Sequence, residues 1–235
     1  GGRAEMARVM TQLKAAQPLI AHDFTALLTA ALRLLAEEHG DDVANVESCV
    51  LAFVRARSDI GPHLFPDAKP ALAALRAANL PVGGLTNGNC DVRLHGDVSA
   101  LFDFAVRALD AGASKPHAAP FWHAAAAAQR WHAASASASA GGAGSASAGH
   151  AGEPRAASLC RPCNLVHVGD DVVTDLLGAL RAGCRAVLVS RPELMPRTPE
   201  QTAELPPADP SRWREVASLE EAAEVALEWK REGEV

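Results

Sequence analysis

Leu165-Val166-His167-Val168-Gly169-Asp170-Asp171 is the stretch that decides the fold. Its first four residues are apolar or half-apolar and predict a short buried strand, and Gly169 lets the backbone turn. Asp170 and Asp171 follow at the position where a helix needs oxygen caps. An apolar pattern at helical spacing comes next, and a second apolar strand follows at 186–189. The sequence therefore predicts a strand, an acidic loop, a helix and a strand.

This acidic loop predicts a metal site. In open parallel sheets, ligands bind at the carboxyl ends of the strands, where Asp170, Asp171 and Asp175 are expected to lie. Carboxylate oxygens are hard ligands that suit Mg²⁺. A purely structural role is open as well, because Asp170 would also serve as a helix cap and Asp175 would complement the helix dipole.

Two other loops carry polar residues after predicted strands. The strand at 80–85 leads into Thr86-Asn87-Gly88-Asn89, whose hydroxyl and amides are able to hydrogen-bond an anion. The strand at 102–106 is followed by Lys115, just ahead of a helix predicted to begin near residue 118. Each signal also has an ordinary interpretation, the first as a polar turn and the second as a solvated surface lysine.

The three signals come in one order, each after a strand, and together they resemble the haloacid dehalogenase superfamily of phosphohydrolases. The resemblance implies an α/β fold with a Rossmannoid parallel-sheet core and an α-helical cap. It also implies Mg²⁺-dependent hydrolysis of a small phosphorylated metabolite through an aspartyl-phosphate. The implied catalytic residues are Thr86, Lys115 and Asp170, the implied substrate-binding residues are Thr86, Asn87, Gly88 and Lys115, and the implied metal ligands are Asp170, Asp175 and Asp171.

A closer likeness concerns the bacterial flavin pathway. Four strings resemble the branch that hydrolyses 5-amino-6-(5-phospho-D-ribitylamino)uracil, and the likeness runs from about residue 10 to about residue 191. The strings are His22-Asp23-Phe24-Thr25, Thr86-Asn87-Gly88-Asn89-Cys90-Asp91, Phe102-Asp103-Phe104-Ala105-Val106-Arg107-Ala108 and His167-Val168-Gly169-Asp170-Asp171. The first string lies outside the shared catalytic motifs, so it is relevant to the substrate rather than to the chemistry.

One motif of that family does not occur in the chain. The family's nucleophile is the first Asp of an Asp-x-Asp pair at the end of the first, central strand, and the 235 residues contain no such pair. The chain opens with Gly1-Gly2-Arg3, and residues 3–17 read as a helix. We therefore expect that truncation has removed the central strand, and that the polypeptide as written is inactive and poorly folded. The alternative is a non-catalytic binding or regulatory relative that lost this motif by evolution.

The remaining sequence predicts a cap followed by a core. Residues 1–62 read as a helical cap with an incomplete N-terminus. His22 and Asp23 would contact substrate from this cap, although Asp23 would also serve as the N-cap of a helix. Residues 63–235 read as the Rossmannoid core, ending in an extended tail at 192–210 and a final helix. An Ala/Ser/Gly-rich tract at about 133–157 lacks apolar bulk and charge, so it predicts a flexible insertion.

Composition limits the class of protein. A net charge of −6 and the lack of an apolar run near the length of a spanning helix argue against nucleic-acid and membrane partners. Five scattered cysteines fit a reducing compartment, either the cytoplasm or an organelle stroma. The sequence leaves open whether a targeting segment exists and what the oligomeric state is. The single C-x-x-C, Cys160 to Cys163, with His150 and His167, is a weak zinc candidate.

Overall fold

The computed structural model describes residues 2–140 and 164–233, in which helices and short strands alternate. The helices are α1 (Gly2–Ala16), α2 (Phe24–His39), α3 (Val46–Ser58), α4 (Ala68–Ala77), α5 (Gly96–Ser99), α6 (Ala108–Ala111), α7 (Ala118–Ala140), α8 (Gly178–Arg181), α9 (Pro199–Ala203) and α10 (Leu219–Arg231). The strands are β1 (Gly83–Thr86), β2 (Phe104–Arg107), β3 (Val166–Gly169), β4 (Arg185–Val189) and β5 (Trp213–Val216). A π-helix, Val172–Leu177, leads directly into α8.

All strand pairs in the described part of the chain are parallel, which confirms the predicted α/β class. Strands β1 and β2 form one sheet in which Thr86 lies opposite Arg107. Strands β3, β4 and β5 form a second sheet with β4 in the middle. The described strands thus make two sheets, whereas the sequence predicted one sheet with a further central strand. That further strand stays a prediction.

The two faces of β4 are both covered, as expected for a strand at the centre of a parallel sheet. Ala186 and Leu188 point to one face and pack with Phe121 of α7, which is fully buried. Val187 and Val189 point to the other face and pack with Trp229 of α10. The run of apolar residues that predicted this strand therefore supplies two cores at once.

Helix α7 connects the two sheets. Its buried Ala124 and Ala127 pack against Val106 of β2, while Phe121 lies against β4 and the π-helix. Leu85 of β1 packs against both clusters. The sheets therefore share one apolar layer, and the carboxyl ends of β1 and β3 come close to each other.

The helices predicted within residues 1–62 are present, and their assignment as a cap stays a prediction. Helices α1 and α2 pack through Val9, Leu13, Leu27 and Ala31. Asp23 accepts a hydrogen bond from Ala26 N at 3.0 Å and so caps α2, the structural role that the sequence left open. Gly40 ends the same helix with φ of 73°, a conformation that favours glycine.

Three details differ from the sequence prediction. Residues 133–140 of the predicted flexible insertion are the end of α7, because alanine is the strongest helix former; residues 141–157 lie outside the described part. The tail at 192–210 was predicted to be extended, but it contains α9, whose Thr198 and Gln201 form a capping box. Strand β5 was missed because two charged residues interrupt its sequence, Trp-Arg-Glu-Val, so that it gives no apolar run.

No helix within the described residues is both long enough and apolar enough to cross a lipid bilayer.

Candidate active site

The acidic loop, residues 170–171, contains two carboxylates in different surroundings. Asp171 is the N-cap of the π-helix, and its Oδ1 accepts hydrogen bonds from Val173 N at 2.9 Å and Thr174 N at 2.6 Å. The Asp170 side chain is exposed and has no hydrogen-bond or ion-pair partner within residues 2–140 and 164–233. Asp170 is therefore the carboxylate of this loop that is free to bind a ligand.

Asp175 is the buried centre of the site. It is only 6% exposed, and its Oδ1 lies 2.5 Å from Lys115 Nζ and 2.9 Å from His167 Nε2. Its Oδ2 accepts from the backbone N–H groups of Asp170 at 3.2 Å and Asp171 at 3.1 Å. Asp175 thus ties the lysine, strand β3 and the acidic loop together, and both of its oxygens are already engaged by protein donors.

The charges around Asp175 determine its protonation. Burial raises the pKa of this carboxyl, but the hydrogen bond from His167 and the positive charge of Lys115 outweigh burial and hold its pKa well below the usual range. Burial also lowers the pKa of His167, and the nearby Lys115 charge lowers it further against the opposing effect of Asp175. The lowered pKa favours the neutral imidazole of His167, whose Nε2–H then donates to Asp175.

Gly169 makes room for Asp175. A Cβ atom on Gly169 would lie 2.3 Å from Asp175 Cγ and 2.5 Å from Asp175 Oδ2, which is far inside van der Waals contact. The glycine was predicted only as a turn residue. The structure gives it a second role, because no larger residue fits between β3 and the carboxylate.

The threonine loop, residues 86–89, holds the lysine from the other side. Asn87 Nδ2 donates to the Lys115 carbonyl at 2.9 Å, and Asn87 Oδ1 accepts from the Lys115 N–H at 2.7 Å. Thr86 Oγ1 accepts from Gly88 N at 3.0 Å, so the loop turns back on itself. The Thr86 hydroxyl keeps its own proton available for donation, since no acceptor for it occurs in the described residues.

Lys115 is the point where the loops meet. Its ammonium donates to Asp175 Oδ1 and, at 3.3 Å, to the carbonyl of Leu85 in β1. The side chain is 10% exposed. An ammonium has three protons, and the described residues supply these two acceptors, so one donor is left for a ligand.

The residues chosen from the sequence are therefore brought together. The threonine loop contacts Lys115, Lys115 contacts Asp175, and Asp175 contacts the backbone of the acidic loop. His167 and Asn89 were not predicted as site residues, although a histidine on a strand that runs into an acidic loop was a usable signal. His22 Nδ1, in the segment just before α2, lies 3.1 Å from Ser114 Oγ, next to the lysine in sequence.

Comparison with solved structures identifies the fold. A 2-haloacid dehalogenase from Pseudomonas syringae pv. Tomato DC3000 superposes with a TM-score of 0.67 over 96% of this chain and 81% of that protein, at 24% sequence identity. The chain has the haloacid dehalogenase (HAD)-like fold. Residues 112–210, which include Lys115, Asp170 and Asp175, also match the family model described as HAD-hydrolase-like.

Two further HAD structures match with lower TM-scores. A HAD phosphatase from Thermococcus onnurineus is 20% identical, with a TM-score of 0.44 over 89% of this chain and 90% of that one. The HAD-hydrolase YfnB from Bacillus subtilis, bound to magnesium, is 17% identical, with a TM-score of 0.48 over 95% and 82% of the two chains. Among curated protein sequences, none matches this chain.

The donor set of this site fits a lightly coordinated hard cation. No cluster of three or more His, Cys, Asp or Glu side chains suited to a metal occurs in the part of the chain that the structure describes. Magnesium is commonly bound by one or two carboxylates together with water and substrate phosphate, and Asp170 offers such a carboxylate. The zinc candidate is not supported by His167, whose Nε2 contacts Asp175; Cys160, Cys163 and His150 lie outside the described residues.

Proposed function

We propose that this site is the phosphoryl-transfer centre of a Mg²⁺-dependent phosphohydrolase that acts on small phosphorylated metabolites. The observation that carries the proposal is the position of the Lys115 ammonium. It lies at the junction of a hydroxyl-bearing loop and an acidic loop, and it keeps one proton available. A phosphate ester needs such an arrangement, because negative charge on the phosphoryl oxygens has to be offset throughout the reaction.

Each residue has a separate task in this proposal. Thr86 donates its hydroxyl proton to one phosphoryl oxygen, and Lys115 donates to another and supplies positive charge. Asp175 positions the lysine, and His167 positions Asp175 by donating to the oxygen that the lysine also contacts. These donors are held by the fold before substrate arrives, so they need little reorganisation during the reaction.

Asp170 is the residue that we propose holds Mg²⁺, and Asp171 is a second ligand candidate although its Oδ1 caps the helix. Bound there, the ion would withdraw charge from the phosphoryl oxygens and orient the group for displacement. Asp175 was also named as a ligand from the sequence. Its oxygens already accept four hydrogen bonds, so we assign it to positioning.

The covalent route through an aspartyl-phosphate requires a carboxylate nucleophile, and the 235 residues contain no Asp-x-Asp pair. We therefore propose that this polypeptide binds phosphate and Mg²⁺ but turns over ester poorly without a carboxylate supplied from outside these residues. The same observation favours a second candidate function. In that case, the protein is a non-catalytic phosphate-binding or regulatory relative that uses the same site.

The substrate class follows from the proposed chemistry and from the likeness of the sequence strings. The site recognises the phosphoryl group, while His22 beside Ser114 lies where the cap would contact the rest of the molecule. A phosphorylated ribitylaminouracil of the flavin pathway is the first compound that we would test. Other phosphorylated sugars, nucleotides and small phosphorylated acids complete the panel.

The decisive experiment measures phosphate release from this panel with and without Mg²⁺, using the 235-residue chain and, where the gene encodes residues beyond these, the longer product as well, together with Lys115→Ala in each. Release that requires Mg²⁺ and is lost in Lys115→Ala supports the hydrolase. Magnesium-dependent phosphate binding without release from either protein supports the binding relative. Release that is insensitive to chelation, or no binding and no release, contradicts both functions.

A further inference from the structure

The two asparagines of the threonine loop differ in what surrounds them. Asn87 uses both ends of its amide on the backbone of Lys115, at 2.9 Å and 2.7 Å. These two contacts use one of the two N–H donors of the amide and one of the two lone pairs of its oxygen. Asn87 therefore acts on substrate through the lysine that it holds.

Asn89 is the reverse case. Its side chain is only 6% exposed, and its Nδ2 is buried with no hydrogen-bond acceptor among the described residues. Folded proteins rarely leave a buried amide donor unpaired, because its lost contact with water has to be replaced by another partner. A buried, unpaired donor in a loop at the carboxyl end of a strand indicates that a bound ligand supplies the missing acceptor.

The shape of the loop agrees with this interpretation. Gly88 donates its N–H to Thr86 Oγ1, and a Cβ built on Gly88 would be 3.4 Å from Thr86 Oγ1 and 3.9 Å from Cys90 N. The loop thus turns back on itself just before Asn89. In the described part of the chain, neither Asn89 N nor Cys90 N has an acceptor.

We propose that Asn89 is a ligand-binding residue, whose amide donates to an oxygen of the bound phosphoryl group while Asn87 positions Lys115. The inference rests on the proposed phosphate-binding function and refines it. Three donors of this region have no acceptor among the described residues: the Thr86 hydroxyl, the third Lys115 proton and Asn89 Nδ2. A tetrahedral oxyanion presents acceptors on every side, so it matches this set better than a ligand that also has to donate.

The test uses inorganic phosphate as the probe, titrated into the chain by calorimetry in the presence of Mg²⁺. Asn89→Leu keeps the volume and removes the amide, and Asn89→Asp keeps the shape and replaces the donor by a negative charge. A hydrogen bond to a charged oxygen predicts phosphate binding that is about tenfold to a hundredfold weaker in Asn89→Leu, and weaker still in Asn89→Asp.

Thermal unfolding separates binding from folding. Asn89→Leu is expected to unfold at the wild-type temperature or above it, because it removes an unpaired buried donor. Asn87→Leu, the matched control, is expected to unfold at a lower temperature and to bind phosphate weakly, because it releases Lys115. Equal phosphate affinity for wild type and Asn89→Leu overturns the role of Asn89 but leaves the proposed function standing. No phosphate binding by the folded wild-type chain overturns the proposed function as well.

Discussion

Asp175→Asn is the substitution that probes the site most strongly. The change removes the charge that pairs with Lys115, whose side chain is 10% exposed, and leaves a buried ammonium without its counter-ion. It also replaces one carboxylate oxygen by an NH₂ group. That group would face either the backbone N–H groups of Asp170 and Asp171 or the Lys115 ammonium, all of which are donors. Breaking a buried ion pair from one side costs about 3–5 kcal/mol, which is a large part of the stability of an ordinary domain.

The assay is equilibrium unfolding in urea at pH 7, with Glu47→Gln as the matched control. Glu47 pairs with Arg33 at the surface, where both side chains are 53% exposed, so its loss is expected to change the free energy of unfolding by less than about 1 kcal/mol. An Asp175→Asn protein as stable as the control would refute the claim that Asp175 is the structural centre of the site.

The effect also has a predicted pH dependence. The folded-state pKa of Asp175 is lowered from 3.8, so its stabilisation is fully present above that pH and is lost as the pH falls toward the folded-state pKa. The difference between wild type and Asp175→Asn should therefore be largest near neutrality and shrink below about pH 4. A difference that stays constant down to pH 2 would contradict the assigned charge state.

Other substitutions test single contacts. Gly169→Ala would place a methyl group 2.3 Å from Asp175 Cγ, so we expect a loss of about 1–3 kcal/mol in urea unfolding and weaker phosphate binding; unchanged stability would mean that the carboxylate is not held against the strand. Asp171→Ala removes the helix cap and should cost about 1 kcal/mol, while Asp170→Ala should leave stability within about 0.5 kcal/mol and abolish Mg²⁺ binding in calorimetry. If Asp170→Ala lowered stability and Asp171→Ala abolished Mg²⁺ binding, the assigned roles of the two aspartates would be wrong.

Much of this fold follows from local sequence patterns. The apolar run before Gly169 and the helical spacing after it gave the strand and the helix correctly, because burial on both faces of a parallel sheet requires that pattern. Strand β5 was missed because Trp-Arg-Glu-Val lies at the edge of its sheet and is only partly buried. Its pairing with β4 is a long-range contact that no local pattern contains.

The candidate site, like the fold, could be predicted from the sequence only in part. The sequence indicated which residues bear chemistry, since Thr86, Lys115 and Asp170 each follow a strand. It could not assign their tasks, because those depend on which side chains share a hydrogen bond across the chain. Asp175 and Asn87 were both chosen as ligand-binding residues, yet the contacts place their polar atoms on Lys115 and its surroundings. Asn89 gave no sequence signal beyond being part of the loop.

The most direct measurement is a crystal structure of the chain grown with Mg²⁺ and inorganic phosphate. We expect a phosphate ion within hydrogen-bond distance of Thr86 Oγ1 and Lys115 Nζ, and Mg²⁺ bound to an Asp170 oxygen. Phosphate bound away from this junction, or Mg²⁺ held by other carboxylates while Asp170 stays free, would contradict it.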